Sequence, residues 1–229
     1  MSEQLKKKRR RSTAGFSLLE LCIVAGIATV LTAIAVPQMI SQRRLVRSVA
    51  ITRELMTQMR YARQLAMSQS GASPSGSLRR VAFTFQYDDT TKQVKVIGPI
   101  PAGTAALTDS NYPSNSGSSV YASMNLAQGG IATTHISTGI PSGLPGAPTT
   151  VDGLTGASLS GGKLNVTFQP DGSVIDTAGN PVDKALFIYN NQASDATASA
   201  VTIRGTSGRV KIWRYTKNST NVNGSTYVE

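Results

Sequence analysis

Cysteine, histidine and tryptophan are scarce in this chain. It has one cysteine, one histidine and one tryptophan among 229 residues, and 15% of the residues are charged. Cys22 has no second cysteine with which to form an intramolecular disulfide. His135 has no Cys, Asp or Glu at ligand spacing, which favours a loop or strand residue over a metal ligand. We therefore predict no metal site.

The motifs of common catalytic centres are also missing. The sequence has no Gly-x-Ser-x-Gly elbow, no phosphate-binding Walker loop and no cluster of carboxylates. Asp88, Asp89, Asp171 and Asp176 occur in turn-like stretches, which favours turn residues over a calcium loop. We predict that the protein is not an enzyme and uses no cofactor.

The N-terminus, in contrast, carries a long apolar run behind a basic block. Six consecutive cationic residues occupy Lys6–Arg11. The run Phe16–Val36 spans about 21 residues, roughly 31 Å as a helix, which is enough to cross the core of a bilayer. The basic block is expected to stay in the cytoplasm. Glu20 interrupts the run near one end, and an acid in such a segment usually has a partner and a function.

Three interpretations of this segment remain open. A secretory signal would be cut after Ala33-Ile34-Ala35, although Glu20 interrupts its apolar core and the helical pattern continues beyond the cut. An uncleaved signal anchor is the second interpretation. In the third, the chain is cut between Gly15 and Phe16, which removes the basic leader and leaves an apolar N-terminus.

The stretch Gly15-Phe16-Ser17-Leu18-Leu19-Glu20 resembles the class III signal of type IV prepilins and type II secretion pseudopilins. The resemblance implies that a prepilin peptidase cuts after Gly15 and methylates Phe16. It also implies that Glu20 serves assembly with other pilin or pseudopilin subunits, and that Pro37 is the proline usual in this family, where we expect a helix kink.

The role implied for Glu20 has a physical basis. The new amino group of Phe16 and the carboxylate of Glu20 on a neighbouring subunit would neutralise each other in an apolar filament core and fix the axial register. The alternative is that Glu20 reaches back to the lipid headgroups. Loss of residues 1–15 would lower the net charge from +11 to about +6, which allows anionic partners without requiring them.

A second helical pattern follows the apolar run. Between Ser41 and Met67, apolar residues recur at three- to four-residue steps with one longer gap across Thr52, which predicts an amphipathic helix. The apolar positions are Leu45, Val49, Leu55, Met59, Ala62 and Ala66, and the other face carries Arg43, Arg44, Arg47, Arg53, Arg60 and Arg63. That basic face is either solvated or in contact with other subunits.

The rest of the chain favours a β-rich domain, so we predict an α+β fold with a long helix packed on antiparallel sheets, and the resemblance to pilins implies two of them. Residues 1–15 form the leader, 16–37 the membrane helix, 38–70 its amphipathic continuation and 71–229 the globular domain. A hairpin is predicted over Arg80–Phe85 and Gln93–Ile97. Segment 99–162 is predicted to be largely loop, with a core strand in 120–126 or 131–136. Later strands are predicted at Lys163–Phe168, Ser173–Ile175, Ala185–Tyr189, Ala200–Arg204 and Arg209–Trp213.

Two short motifs near the C-terminus, Phe168-Gln169-Pro170-Asp171-Gly172-Ser173 and Gly208-Arg209-Val210-Lys211-Ile212, resemble the GspH/FimT-like minor pilins. In the FimT-like branch this region is associated with DNA binding during natural transformation. The candidate DNA-binding residues here are Arg204, Arg209, Lys211, Trp213 and Arg214, because cations contact phosphates and rings stack on bases. A solvated strand face or a subunit contact is the alternative.

The sequence therefore indicates a minor pilin of a type IV pilus that primes assembly or lies at the tip, with DNA as a candidate partner. It would be anchored in the bacterial inner membrane and then join a periplasmic or cell-surface filament. A type II secretion pseudopilin is the first alternative, and a signal-anchored periplasmic protein is the second.

Overall fold

The computed structural model describes residues 17–69, 71–72, 78–79, 81–101, 119–126, 144, 150–156, 162–176, 178–189, 197–217 and 226–228. The leader, the cleavage and methylation site at Gly15 and Phe16, the candidate strand at 131–136 and His135 lie outside the described residues. These features stay predictions.

One long helix, α1, occupies Leu18–Ser68, with Glu20 in its first turn and Pro37 inside it. By its internal contacts the chain divides into two units, Met1–Gln42 and Arg43–Glu229. The hydroxyls of Thr29 and Thr32 each donate a 2.7 Å hydrogen bond to the carbonyl four residues earlier, so these polar groups are satisfied within the helix. The kink expected at Pro37 stays a prediction.

The first unit presents an apolar helix surface that no described residue buries. The most apolar 18-residue stretch of α1 has a mean hydropathy of 2.3 and contains no buried residue. Leu18 is 80% exposed, Leu31 62% and Ile34 60%. The length and composition suit a membrane anchor, and a signal sequence near an N-terminus has the same properties.

The second unit contains the strands. They are β1 (Gly71–Ala72), β2 (Leu78–Arg79), β3 (Val81–Asp88), β4 (Gln93–Pro101), β5 (Ser119–Asn125), β6 (Lys163–Phe168), β7 (Lys184–Ile188), β8 (Ser199–Ile203), β9 (Val210–Thr216) and β10 (Thr226–Val228). All pairings between these strands are antiparallel. The first large sheet has the order β5-β4-β3-β6, and the second has the order β10-β9-β8-β7. β1 and β2 form a separate two-stranded ribbon.

The predicted hairpin is confirmed as β3 and β4. Phe85 pairs with Val96 and Tyr87 with Val94, as alternating apolar residues on both strands require. The candidate strand at 120–126 is confirmed as β5, which extends the same sheet beyond β4.

The larger core of the described residues lies between α1 and both large sheets, which confirms the predicted α+β architecture. Leu55, Met59, Ala62 and Ala66 of α1 are fully buried in this core. The first sheet contributes Phe83, Phe85, Val96 and Phe168, and the second contributes Leu186, Val201, Ile203 and Val210. The predicted amphipathic pattern therefore marks the face of α1 that the sheets cover.

At the N-terminal end of the predicted apolar stripe on α1, the residues that are buried are not the predicted ones. Leu45 is 40% exposed and Val49 is half-buried, whereas Ser48 and Thr52 are buried. The Ser48 hydroxyl donates to the Thr197 carbonyl at 2.6 Å, and the Thr52 and Ser199 hydroxyls lie 2.7 Å apart. Polar side chains can occupy these core positions because β8 and the residues before it supply hydrogen-bond partners.

Three predicted boundaries are corrected. The predicted linker 71–77 includes a strand, β1. Ser173–Ile175 is not a regular strand but makes isolated bridges, with Val174 opposite Phe168 and Ile175 opposite Pro181. β4 continues past Ile97 to Pro101, into the predicted loop segment. Gly98 and Pro99 form a bulge opposite Phe83. The strand can pass through this proline because a bulge does not need its missing N–H group.

We expect Thr52→Val to lower the free energy of unfolding by about 1 kcal/mol, because it removes a buried hydroxyl pair without changing side-chain size much. The measurement is denaturant unfolding of the full chain in detergent micelles. Thr57→Val is the matched control, because the exposed Thr57 hydroxyl bonds to the Arg53 carbonyl on the same helix. Equal effects of the two substitutions would contradict the assigned role of Thr52.

Candidate interaction surfaces

The five predicted DNA-binding residues lie in and around β8 and β9, but the structure gives them different surroundings. Arg204 directly follows β8, and its guanidinium contacts the carboxylate of Asp183 at 2.6 Å and that of Asp152 at 2.7 Å. It also donates to the Asp152 carbonyl oxygen at 3.0 Å. Two acids therefore balance this cation within the fold, and Arg204 joins the segment at 150–156 to the start of the β8–β9 turn.

The partner Asp152 was not singled out by the sequence analysis. Asp152 and Gly153 both have positive φ, 54° and 75°, and Val151 and Leu154 exchange two 2.8 Å backbone hydrogen bonds around them. This is the geometry of a two-residue Asp-Gly turn, and the Asp-Gly dipeptide between apolar residues is the signal that predicts it. Val151 is buried against the outer face of the second sheet.

The aromatic residues of β9 belong to a second core. Trp213 and Tyr215 pack with Phe187 on the sheet face that Val151 covers, and Tyr215 is only 8% exposed. The Trp213 indole donates to the Thr202 hydroxyl at 2.8 Å, and the Lys211 ammonium lies 5.0 Å from the indole ring centroid. Lys211, Trp213 and Tyr215 share one face of β9, and the two rings pack against the second core.

Arg214 belongs to the opposite face of β9, because side chains alternate along a strand. Together with Arg53, Leu45 and Val49 of α1, it lines a cavity of about 520 Å³. The candidate residues Lys211 and Arg214 therefore lie on different sides of the second sheet.

Arg209 lies beside two arginines of α1. A groove of about 750 Å³, which we call the arginine groove, runs between α1 and the β8–β9 turn and is lined by Arg60, Arg63, Gln64, Met67, Ser68, Ser207, Gly208, Arg209 and Val210. Among these described lining residues there are three arginines and no acid. One Arg60 terminal nitrogen lies 3.5 Å from the Val210 carbonyl oxygen. Helical spacing predicts Arg60 and Arg63 on the basic face of α1, but only the fold brings them next to Arg209.

The floor beside Arg63 is made by the two C-terminal motifs together. Gly172 and Gly208, both with positive φ, lie close enough that a Cβ on either residue would be 3.0 Å from the Arg63 Nε atom. A Cβ on Gly208 would also overlap the Gly172 carbonyl oxygen. The two glycines therefore let two turns and one arginine side chain occupy the same small region.

The acids proposed as turn residues act as predicted. Asp171 accepts hydrogen bonds from the amide and the hydroxyl of Ser173 at 2.8 and 2.7 Å, and Asp176 accepts from the amides of Ala178 and Asn180. Such side-chain-to-backbone bonds stabilise turns. Within the described ranges, no three His, Cys, Asp or Glu side chains group closely enough to hold a metal ion.

No protein-family model, curated protein or solved structure matches this chain. Functional inference therefore depends on the residues and their geometry. Two features of the described residues stand out in this respect: the uncovered apolar surface of α1 before Arg43, and the arginine groove.

We expect Gly208→Ala to destabilise the protein by about 2–5 kcal/mol. A left-handed φ of 59° costs a non-glycine residue roughly 1–2 kcal/mol, and the overlap with the Gly172 carbonyl adds an overpacking cost of about 1–3 kcal/mol. Denaturant unfolding of the full chain measures the change.

Gly153→Ala is the matched control for that substitution. Gly153 has a similar positive φ, but a Cβ there meets no atom within 4 Å. The loss of stability in Gly153→Ala should therefore be limited to the backbone cost of about 1–2 kcal/mol. If Gly208→Ala lowers the free energy of unfolding no more than Gly153→Ala does, the close contact between the turns at Gly172 and Gly208 is contradicted.

The Asp183 carboxylate should make stability depend on pH. Burial opposes its ionisation, but the Gly205 amide and the Arg204 guanidinium outweigh burial and lower the pKa of Asp183. Because the folded pKa lies below the unfolded one, the stabilisation is present above about pH 4 and is lost as pH falls through the folded pKa. We expect Asp183→Asn to lower Tm by about 2–4 °C at pH 7, with the difference vanishing at the acid end of the profile.

The control for this profile is Glu54→Gln, which removes an exposed carboxylate on α1 that lies 3.4 Å from the Gln58 side-chain nitrogen. Its Tm should stay near that of the wild type at every pH. A difference between wild type and Asp183→Asn that persists unchanged into acid would contradict a role for the Asp183 charge.

Proposed function

We propose that the chain is a structural subunit of a type IV filament, specifically a minor pilin that primes pilus assembly or lies at the tip. In this proposal the prepilin peptidase cuts after Gly15 and methylates Phe16 in the inner membrane. The subunit then moves from the membrane into a periplasmic or cell-surface filament through α1.

The uncovered apolar part of α1 is the observation that carries the proposal. Large side chains such as Leu18, Val30 and Ile34 are each at least 60% exposed, and no part of the chain described here covers them. Such a surface requires lipid or other apolar helices around it. A subunit that passes from a bilayer into a helical bundle of identical and related subunits meets this requirement in both locations.

Glu20, in the first turn of α1, makes this apolar surface specific for a neighbouring subunit that supplies a positive charge. An acid among apolar neighbours needs a counter-charge, and cleavage before Phe16 would create an amino group for it on a neighbouring subunit. The globular unit supports the same role, because among the described residues its core takes only the part of α1 that follows Arg43.

A type II secretion pseudopilin shares all of these features and is the alternative within the same class of filament. A signal-anchored periplasmic protein is the second alternative, because it also requires an apolar N-terminal helix. A signal-anchored protein requires neither an acidic residue at position 20 nor a cut before Phe16.

Mass spectrometry of the protein from cells that contain a prepilin peptidase tests the proposal. We expect a mature N-terminus at Phe16 carrying one methyl group. A chain that still begins at Met1, or one that begins at Val36, would contradict the proposal.

Glu20→Gln should be cleaved normally but be recovered in sheared filaments at roughly a tenth of the wild-type level or less, because the buried amine loses its counter-charge.

Glu54→Gln is the matched control for Glu20→Gln, because it removes an exposed carboxylate from the globular part of the same helix. It should be cleaved and assembled as the wild type is. Equal assembly of all three proteins would exclude the proposed Glu20 pairing while leaving the processing result intact.

A further inference from the structure

We propose that the arginine groove is a docking site for an acidic, partly apolar segment of a second polypeptide. If the proposed function holds, that polypeptide is a different subunit of the filament. The proposal itself requires only the groove and its chemistry, both of which lie within the unit Arg43–Glu229.

The arrangement of arginines favours carboxylates. Arg60 and Arg63 are three residues apart on α1 and so lie on one face, while Arg209 approaches from the β8–β9 turn. Guanidinium groups bind carboxylates through two parallel hydrogen bonds, which fixes direction as well as charge. The Nε atom of Arg63 is buried and has no hydrogen-bond partner among the described residues, so the groove includes a cationic side chain that is incompletely satisfied.

The remainder of the lining favours a peptide over a small anion. Met67 and Val210 give the groove an apolar part, and Ser68 and Ser207 add hydroxyls. A volume of about 750 Å³ is in the range of sites that enclose ligands with many atoms, and is far larger than one carboxylate or phosphate requires. A segment in which Glu or Asp alternates with an aliphatic residue matches both parts of the lining.

The surroundings of the groove argue against two other occupants. Single-stranded nucleic acid gains much of its affinity from exposed rings on which bases stack, and no ring is among the described residues that line the groove. A second copy of the chain is disfavoured by charge, because 23 basic residues oppose 12 acidic ones. An acidic segment of another protein has the complementary charge.

Fluorescence anisotropy with the full-length chain in zwitterionic detergent tests the proposal. The probe is a labelled peptide of alternating Glu and Leu, and its counterpart has Gln in place of every Glu. We expect the acidic peptide to bind with an affinity that falls as salt is added, and the Gln peptide not to bind. Arg60→Glu should weaken binding of the acidic peptide about tenfold or more, since hydrogen bonds between charged groups are lost and repulsion replaces them.

Arg53→Glu is the matched control, because it makes the same charge change at an exposed arginine of α1 outside the groove. It should bind the acidic peptide like the wild type, and unchanged Tm values for both variants exclude unfolding as the cause. The proposal is overturned if the acidic peptide does not bind, or if Arg60→Glu and Arg53→Glu weaken it equally.

A labelled oligo-dT of similar length is the competing probe. If it binds more tightly than the peptide and depends on Arg60, the groove takes nucleic acid and the proposal is overturned. The measurement does not depend on cleavage at Gly15, so its failure would leave the filament proposal in place. Conversely, an unprocessed N-terminus would leave the groove result unaffected.

Discussion

The burial of one stripe of α1 beneath both large sheets is the constraint on which the rest of the structure depends. Leu55, Met59, Ala62 and Ala66 are fully buried there, so α1 cannot rotate about its axis without exposing them. A shift of one residue would turn the helix by about 100°. The packing therefore also fixes where the arginines at 60 and 63 lie relative to the β8–β9 turn.

The two parts of α1 obey different physical requirements. Beyond Arg43, the sheets cover one face of the helix, and the exposed side carries most of its arginines together with scattered apolar side chains such as Val46. Before Arg43, the surface is apolar and exposed, and hydroxyls such as that of Thr29 are satisfied inside the helix. No residue that the structure describes covers that surface.

Residues of the same type acquire different roles from their neighbours. Arg204 is held by two carboxylates and connects two loops of the fold. Arg63 packs across two glycine turns, while Arg60 and Arg209 line the open groove. A basic stretch in the sequence therefore does not define one surface, and the fold divides its charge between ion-paired positions and positions that line the groove.

Local pattern was enough to predict the helix, the β3–β4 hairpin, β6 and the turn at Asp171, because each depends on side-chain period or on bonds between near neighbours. Long-range contacts decided the rest. Thr52 is buried because β8 supplies a hydroxyl, β4 runs through Pro99 because Phe83 faces a bulge, and Arg60 meets Arg209 because the sheet brings distant segments together. The sequence by itself determined which segments are apolar, extended or turned. Only the tertiary structure decided which charges are balanced and which remain at a surface, because that depends on residues far apart in the chain.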